Sequence, residues 1–169
     1  MRKFIHTFFV AATFTFGCAV GRCETTNAPL KFYIVSEQKI EGGKFIDTPS
    51  LPKVGYISAT PDWVVTNLLD VYREKRATSA IIDGKVVPSQ PPPGLAVALR
   101  PGDARRFTAL TEKALGKWLL VALGERPLTA PKVVAPIKTD RFSIDFVNES
   151  ELKKTQDELK RLVPADPEH

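Results

Sequence analysis

The chain has 169 residues, with 24 Lys or Arg against 19 Asp or Glu, so its formal net charge is +5. This length is typical of one domain. Both Cys residues (Cys18 and Cys23) and His6 lie within the first 23 residues, and the other His is the last residue, His169. The rest of the chain therefore lacks the imidazole and nucleophile pairs of Ser-His-Asp or Cys-His enzymes, and it lacks the usual zinc ligands.

The N-terminus has the pattern of an export signal. A short basic start, Met1-Arg2-Lys3, precedes an apolar run over residues 4–16 and then several small residues. This order predicts a signal peptide over residues 1–23. Its removal leaves 21 basic and 19 acidic residues, a net charge of +2. So small a charge gives no reason to expect a nucleic acid or an anionic membrane as a partner.

The end of the apolar run allows three outcomes. Residues 15–18 read Thr-Phe-Gly-Cys, similar to the site at which bacterial lipoproteins are cleaved, and Cys18 would then carry the lipid. Ordinary cleavage fits the small residues at positions 17 and 19, or at 21 and 23. An uncleaved anchor is the third outcome, although a run of 13 residues is shorter than the ~20 that span a bilayer. We expect an exported protein, periplasmic or lipid-anchored, that contacts the membrane only through a lipid.

The first part of the mature chain is predicted to form a tether, a strand, a loop and a helix. Residues 24–29 form a polar tether, residues 30–35 are rich in strand-forming side chains, and the Gly and Pro residues of 37–52 predict an irregular loop. Thr60-Pro61-Asp62 is typical of a helix start. The predicted helix spans 61–75, and its apolar stripe is Val64, Val65, Leu68, Leu69 and Tyr72. Trp63 beside the stripe is expected to pack at the core or its rim.

The middle of the chain is predicted to form a hairpin, a spacer and a further strand. Asp83-Gly84 favours a tight turn between strands over 80–82 and 85–87. The prolines of 88–94 predict a stiff spacer. A short strand follows over 95–99.

The clearest predicted helix spans 101–115, and Gly116 ends it. Its expected buried face is Ala104, Phe107, Leu110, Thr111, Ala114 and Leu115. Strands are predicted over 118–123 and 141–146, with a turn at Gly124-Glu125 and an extended segment over 131–137. A last helix opens at Asn148, with Glu151 as its capping partner, and runs to 162. Residues 164–169 are a tail.

These elements predict one α+β domain over residues 30–163. A mostly antiparallel sheet is covered by the helices over 61–75, 101–115 and 149–162, in the order of a ferredoxin-like split unit.

No motif in the sequence indicates a cofactor or a metal ion. There is no glycine-rich phosphate loop and no Gly-x-Ser-x-Gly elbow. Some scattered carboxylates could in principle hold a hard cation, but they lack the spacing of a calcium loop; they are Asp140, Asp145, Glu149 and Glu151. We therefore expect a protein that is not an enzyme.

The stretch over residues 95–163 resembles the head of the first periplasmic domain of the SecD protein-export family. The likeness is carried by Gly102-Asp103-Ala104-Arg105-Arg106-Phe107, Leu110-Thr111, Gly116-Lys117-Trp118-Leu119 and Ala130-Pro131-Lys132-Val133-Val134-Ala135-Pro136-Ile137. The resemblance implies a SecD-head-like fold. SecD acts with its membrane partner SecF in protein export, which requires membrane-spanning helices, and the sequence after residue 23 has no apolar run of that length.

The function expected from the resemblance is that of an exported protein-interaction module that assists protein export or envelope assembly. Its partner would be a protein, and Arg105 and Arg106 are the candidate partner surface. The alternative is a periplasmic small-ligand-binding protein or an enzyme. That alternative needs polar groups that converge in a pocket, and the candidates are Arg105, Arg106 or Lys117 with Asp140 or Glu149.

Export can be tested on the purified protein. Mass spectrometry should show the loss of roughly 17 to 23 N-terminal residues, with a diacylglyceryl group on Cys18 if lipidation occurs. An intact Met1 on a cytoplasmic protein would contradict the prediction.

Overall fold

The computed structural model describes residues 27–47, 55–76, 79–82, 85–88 and 91–165. The predicted signal peptide, its cleavage sites, Cys18 and Cys23 lie outside these residues, as do Asp83-Gly84 and most of the tail. The strands, in chain order, are β1 (Leu30–Val35), β2 (Lys44–Ile46), β3 (Gly55–Ile57), β4 (Trp63–Val65), β5 (Asp70–Arg73), β6 (Ser79–Ile82), β7 (Lys85–Pro88), β8 (Gly94–Ala98), β9 (Trp118–Leu123), β10 (Arg126–Thr129) and β11 (Arg141–Asp145). The helices are α1 (Pro101–Lys113) and α2 (Glu149–Lys160).

The described strands form two principal sheets and two hairpins. One sheet has four strands in the order β10-β9-β1-β4, and the other has three in the order β11-β8-β5. The hairpins are β2–β3 and β6–β7. Every pairing between these strands is antiparallel. The predicted α+β class with antiparallel strands is therefore confirmed, but these strands form two principal sheets where a single sheet was expected.

Several predicted elements are confirmed, and local interactions explain where the two helices begin or end. The chain leaves α1 through Gly116, which has a φ of 76°, a left-handed conformation that favours glycine. Asn148 is the N-cap of α2, and its side chain accepts a hydrogen bond of 2.9 Å from the backbone N–H of Glu151. Strands β1, β8, β9 and β11 and the β6–β7 pair also lie where the sequence predicted them.

The predicted helix over 61–75 is wrong. Strands β4 and β5 occupy this segment and belong to different sheets. Val65 and Leu68 are buried, but Val64 is 41% exposed and Leu69 is also exposed, so the expected stripe does not lie on one buried face. Asp62 does not start a helix, because its Oδ2 accepts a hydrogen bond of 2.8 Å from the backbone N–H of Ile34 in β1.

Three smaller expectations are also corrected. Strand β2 lies within the segment predicted to be an irregular loop. The regular strand after the Gly124-Glu125 turn is β10, and it ends before the extended segment over 131–137. Leu115, expected on the buried face of α1, is 51% exposed because the helix ends at Lys113.

One large apolar cluster joins both sheets to both helices. It contains Phe32 of β1, Val97 of β8, Phe107 of α1 and Leu159 of α2, all of them buried. A second, smaller cluster lies on the other face of the four-stranded sheet, where Ile57 of the β2–β3 hairpin covers it. In the described part of the chain, no helix is both long enough and apolar enough to cross a membrane.

Phe107 lies at the centre of an aromatic cluster. Its ring centroid is 5.8 Å from that of Phe32, 6.1 Å from that of Trp63 and 5.3 Å from that of Phe142. Trp63 also stacks on Phe32 at 4.8 Å, so the expectation that Trp63 packs at the core is confirmed.

Replacing Phe107 with Ala should lower the free energy of unfolding by about 3 to 5 kcal/mol, because the substitution removes a ring that is only 2% exposed. Chemical denaturation measures the loss. Leu115→Ala, a change at the exposed end of the same segment, should cost less than about 0.5 kcal/mol. Similar losses for the two variants would contradict the packing described for α1.

Candidate functional site

An apolar groove of about 400 Å³ lies between strands β10 and β11. Because β10 and β11 are edge strands of the two principal sheets, the groove follows the gap between these sheets. Its lining comes from α1, β9, the last residue of β10, the segment that connects β10 to β11, and β11. The lining residues are Phe107, Leu119, Val121, Thr129, Pro131, Lys132, Val133, Val134, Ala135, Pro136, Ile137, Arg141, Phe142 and Ser143.

The inner surface of the groove belongs to the main core. Phe107, Leu119 and Val121 are buried, and the half-buried ring of Phe142 packs against Phe107 and Phe32. These side chains keep their positions without a ligand because they are held by the core. The groove is therefore a preformed apolar surface, open at one side to solvent.

The outer wall of the groove is the segment 131–137, which is held at its first end by β9 and the turn before it. The N–H of Gly116 donates to the carbonyl of Val133 at 2.8 Å, and the N–H of Val133 donates to the carbonyl of Lys117 at 2.8 Å. These bonds continue the ladder of β10 and β9 past the bulge in β10. Val133 thereby turns inward and is buried.

Two threonines of α1 hold the second end of the wall. The N–H of Ile137 donates to Oγ1 of Thr111 at 3.0 Å, and the hydroxyl of Thr111 donates to the carbonyl of Thr108 at 2.9 Å. Oγ1 of Thr108 lies 2.9 Å from the carbonyl oxygen of Ile137 and 3.1 Å from that of Ala104, and its single hydrogen serves one of them at a time. Thr111 is fully buried, so its hydroxyl is part of the structure and is not a reactive group.

Between its two anchors the wall projects into solvent. Val134 is 82% exposed, which is a large exposure for an apolar side chain beside an apolar groove. Lys132 and Arg141 supply positive charge at the rim. Residues 130–137 resemble the SecD family in sequence, but the sequence did not predict that they form the wall of a groove.

The two arginines predicted as a partner surface lie on different flanks of α1. Arg105 lines an open depression with Lys138 and Asp140. Arg106 lines a separate cleft with Trp63 and Lys113. This separation follows from helical geometry, because consecutive residues differ by about 100° around the axis. Both side chains are exposed.

The polar residues named for a small-ligand or enzyme site are not brought together as a group. Arg105 and Asp140 line the same depression, but Arg106, Lys117 and Glu149 do not line it. Glu149 instead pairs with Arg73. Among the described residues, no group of three or more His, Cys, Asp or Glu is placed to hold a metal ion.

A polar layer covers the outer face of the three-stranded sheet. Gly94, Ala96 and Ala98 of the central strand β8 are buried beneath longer side chains of β5, β11 and the residues beside them. Arg141 donates to the hydroxyl of Tyr72 at 3.1 Å. A Cβ at position 94 would collide with the guanidinium of Arg76.

Glu74 and Arg76 form the charged centre of this layer. The hydroxyl of Ser143 donates to the carboxylate of Glu74, and Arg76 donates to it at 2.7 Å. Arg76 also pairs with Asp145 at 2.5 Å. The hydrogen bond from Ser143 has the largest effect on the pKa of Glu74 and lowers it, whereas burial acts in the opposite direction. The hydrogen bond and the charge of Arg76 add to the lowering, so the pKa of Glu74 lies below its usual value.

Comparisons with known proteins place this fold beside part of SecDF. No protein-family model and no curated protein sequence matches the chain. A solved structure of SecDF, described as a membrane component that enhances protein export, matches with a TM-score of 0.53 and 19% identity over 82% of this chain and 64% of that chain. A structure of SecDF in the super-membrane-facing form matches with the same TM-score and identity over 82% of this chain and 19% of that chain. The chain thus spans less than two thirds of the matched proteins, and the likeness shows a SecD-head-like fold.

The lowered pKa of Glu74 makes stability depend on pH. Its contribution to folding is complete above its unfolded-state pKa of about 4.3 and disappears as the pH falls through its lower folded-state pKa. Glu74→Gln should therefore lower the free energy of unfolding by about 1 kcal/mol at pH 7, and the difference from wild type should shrink below about pH 4.

Denaturant unfolding between pH 7 and pH 3 measures this difference. Glu112→Gln, which removes an exposed carboxylate from α1, is the matched control and should follow the wild-type profile. A constant difference between Glu74→Gln and wild type across the whole range would show that the ionised carboxylate of Glu74 is not what stabilises the polar layer.

Proposed function

We propose that this chain is a non-enzymatic protein-interaction module that binds apolar stretches of polypeptide in the groove between β10 and β11, in the service of protein export or envelope assembly. The single observation that carries the proposal is the groove itself. It is apolar, open to solvent and bordered by an exposed valine. Exposed apolar surfaces of this kind are typical of sites that bind proteins or ligands.

The shape of the groove favours a chain in an extended conformation. The groove follows the gap between two sheet edges, and an extended peptide can combine main-chain contacts to an edge strand with pockets for alternate side chains. Its volume of about 400 Å³ holds a few apolar side chains, so the expected binding is weak and reversible. Weak binding suits a protein that must release the polypeptides it contacts.

The fold supports the same proposal. SecDF, which shares the fold, is described as enhancing protein export. We extend this to the present chain together with an exported location, either in the periplasm or on a lipid at Cys18. The partner is then an exported polypeptide or another envelope protein.

The second candidate function is the binding of a small apolar molecule. The volume of the groove lies within the range of small-ligand sites, about 300 to 1,000 Å³. An open groove excludes less water than a closed pocket, which favours a polypeptide. A thermal-shift screen with small apolar compounds distinguishes the two, because a ligand that binds the native state raises the melting temperature in a saturable way.

The main test is peptide binding measured by fluorescence anisotropy. The probe is a labelled peptide with alternating Leu and Ser, and the control peptide has every Leu replaced by Ser. Val134→Asp should weaken binding of the Leu peptide about tenfold, because it puts a charge at the lip of the groove. Binding should change little between low and moderate salt, since the contact is apolar.

The matched control is Val147→Asp. Val147 is 85% exposed, as Val134 is 82% exposed, but it does not line the groove. This variant should bind the Leu peptide as the wild type does. Equal losses in both variants, or equal binding of the Leu and Ser peptides, would contradict the proposal.

A further inference from the structure

A second depression lies beside α1, away from the apolar groove. It is a cleft of about 230 Å³, and the residues that line it include Trp63, Arg106, Ala109 and Lys113. None of its lining residues belongs to the apolar groove. The threonines that hold the groove wall, Thr108 and Thr111, do not line it either. The two depressions are therefore separate surfaces of the molecule.

The cleft has an excess of positive charge. Arg106 and Lys113 are both exposed, and within the described part of the chain the structure pairs neither of them with a carboxylate. The cleft also contains Asp62, but its Oδ2 already accepts the 2.8 Å hydrogen bond from the backbone of Ile34. Two cations thus face the cleft with one carboxylate, which keeps its charge, so the cleft has a net positive charge.

The spacing of the cations suits an extended chain. Arg106 and Lys113 are seven residues apart, a rise of about 10 Å along a helix. Acidic side chains two residues apart on one face of an extended chain are separated by about 7 Å, and the long arginine and lysine side chains cover the difference. Ala109 and Trp63 also line the cleft, and they offer an apolar surface to the aliphatic stems of the two acidic side chains.

A sheet edge borders the same cleft. Trp63 is the first residue of β4, which is the end strand of the four-stranded sheet among the described residues. An end strand offers backbone groups to another extended chain. A cleft with two cations and an adjacent strand edge therefore fits an extended acidic chain better than a nucleic acid, which needs a wider basic surface.

We propose that the cleft between α1 and β4 is a docking site for an acidic, extended segment of a partner protein, whose carboxylates pair with Arg106 and Lys113. This site is independent of the proposed apolar groove and uses charge where the groove uses apolar contact. The sequence predicted Arg105 and Arg106 as one partner surface, but only Arg106 belongs to this docking site.

The test compares two double variants. Each removes two positive charges, one variant from the cleft and the other from the depression on the opposite flank of α1. The double variant Arg106→Gln and Lys113→Gln alters the cleft. The control, Arg105→Gln and Lys138→Gln, alters the depression on the other flank. All four side chains are exposed, so both variants should keep the wild-type melting temperature, which is measured first.

The probe is a labelled peptide with the central sequence Glu-Val-Glu between Gly and Ser residues, and its control has Gln-Val-Gln. The wild-type chain should prefer the Glu peptide, and its affinity should fall with added salt. The cleft variant should bind the Glu peptide about fivefold more weakly, and the control variant should bind as wild type does. The emission of Trp63, measured with Trp118→Phe in the background, should change when the Glu peptide binds.

Equal losses in the two variants would overturn the proposal, because they would indicate diffuse attraction to any basic surface. Equal affinity for the Glu and Gln peptides would also overturn it. A third result would overturn the proposal: the chain binds anionic vesicles through Arg106 and Lys113 but does not bind the Glu peptide. Val134→Asp should leave binding of the Glu peptide unchanged, so this site and the apolar groove can fail separately.

Discussion

The packing of four aromatic rings holds this molecule together. Phe32 of β1, Trp63 of β4, Phe107 of α1 and Phe142 of β11 contact one another at centroid distances from 4.8 to 6.1 Å. The two principal sheets share no strand in the described structure, and these rings are where both sheets meet α1. Since two of the rings, Phe107 and Phe142, also line the apolar groove, the shape of the proposed site is set by the packing of the core.

The outer wall of the groove depends on polar contacts. Ile137 is bound through its backbone to Thr108 and Thr111, and Val133 through its backbone to the turn that follows α1. Helix α1 therefore contributes a ring to the inside of the groove and hydroxyl groups to its wall. The same helix presents Arg106 and Lys113 to the cleft on its other flank.

Local patterns in the sequence were sufficient for some elements and misleading for others. Helix α1 was predicted because its apolar spacing, its N-terminal proline and Gly116 all agree. The segment 61–75 has helical spacing too, but Val64, Val65, Val71 and Tyr72 favour strands, and the two halves of the segment pair with different sheets. Whether such a segment forms a helix or strands depends on its pairing with distant strands, which no local sequence pattern reveals. Strand β10 was not predicted. It contains Pro127, a residue that disfavours strands but is tolerated in an edge strand.

The candidate site could be predicted only in part. The segment 130–137 stood out through its resemblance to the SecD family, but its role as a wall depends on a hydrogen bond between Ile137 and Thr111, which are 26 positions apart. Likewise, the sequence shows Arg105 and Arg106 as one pair, and only the buried face of α1 decides that they line different depressions. Long-range contacts of this kind are set by the fold as a whole.

Site-specific photocrosslinking can show whether a polypeptide binds in the apolar groove. The purified chain would carry p-benzoylphenylalanine in place of Val134 or, as a control of equal exposure, in place of Val147. After irradiation with the Leu-containing peptide, mass spectrometry would locate the crosslinks. Position 134 should form crosslinks to the Leu residues of the peptide, and position 147 should not. Equal yields from the two positions would contradict the assignment of the groove as the polypeptide-binding site.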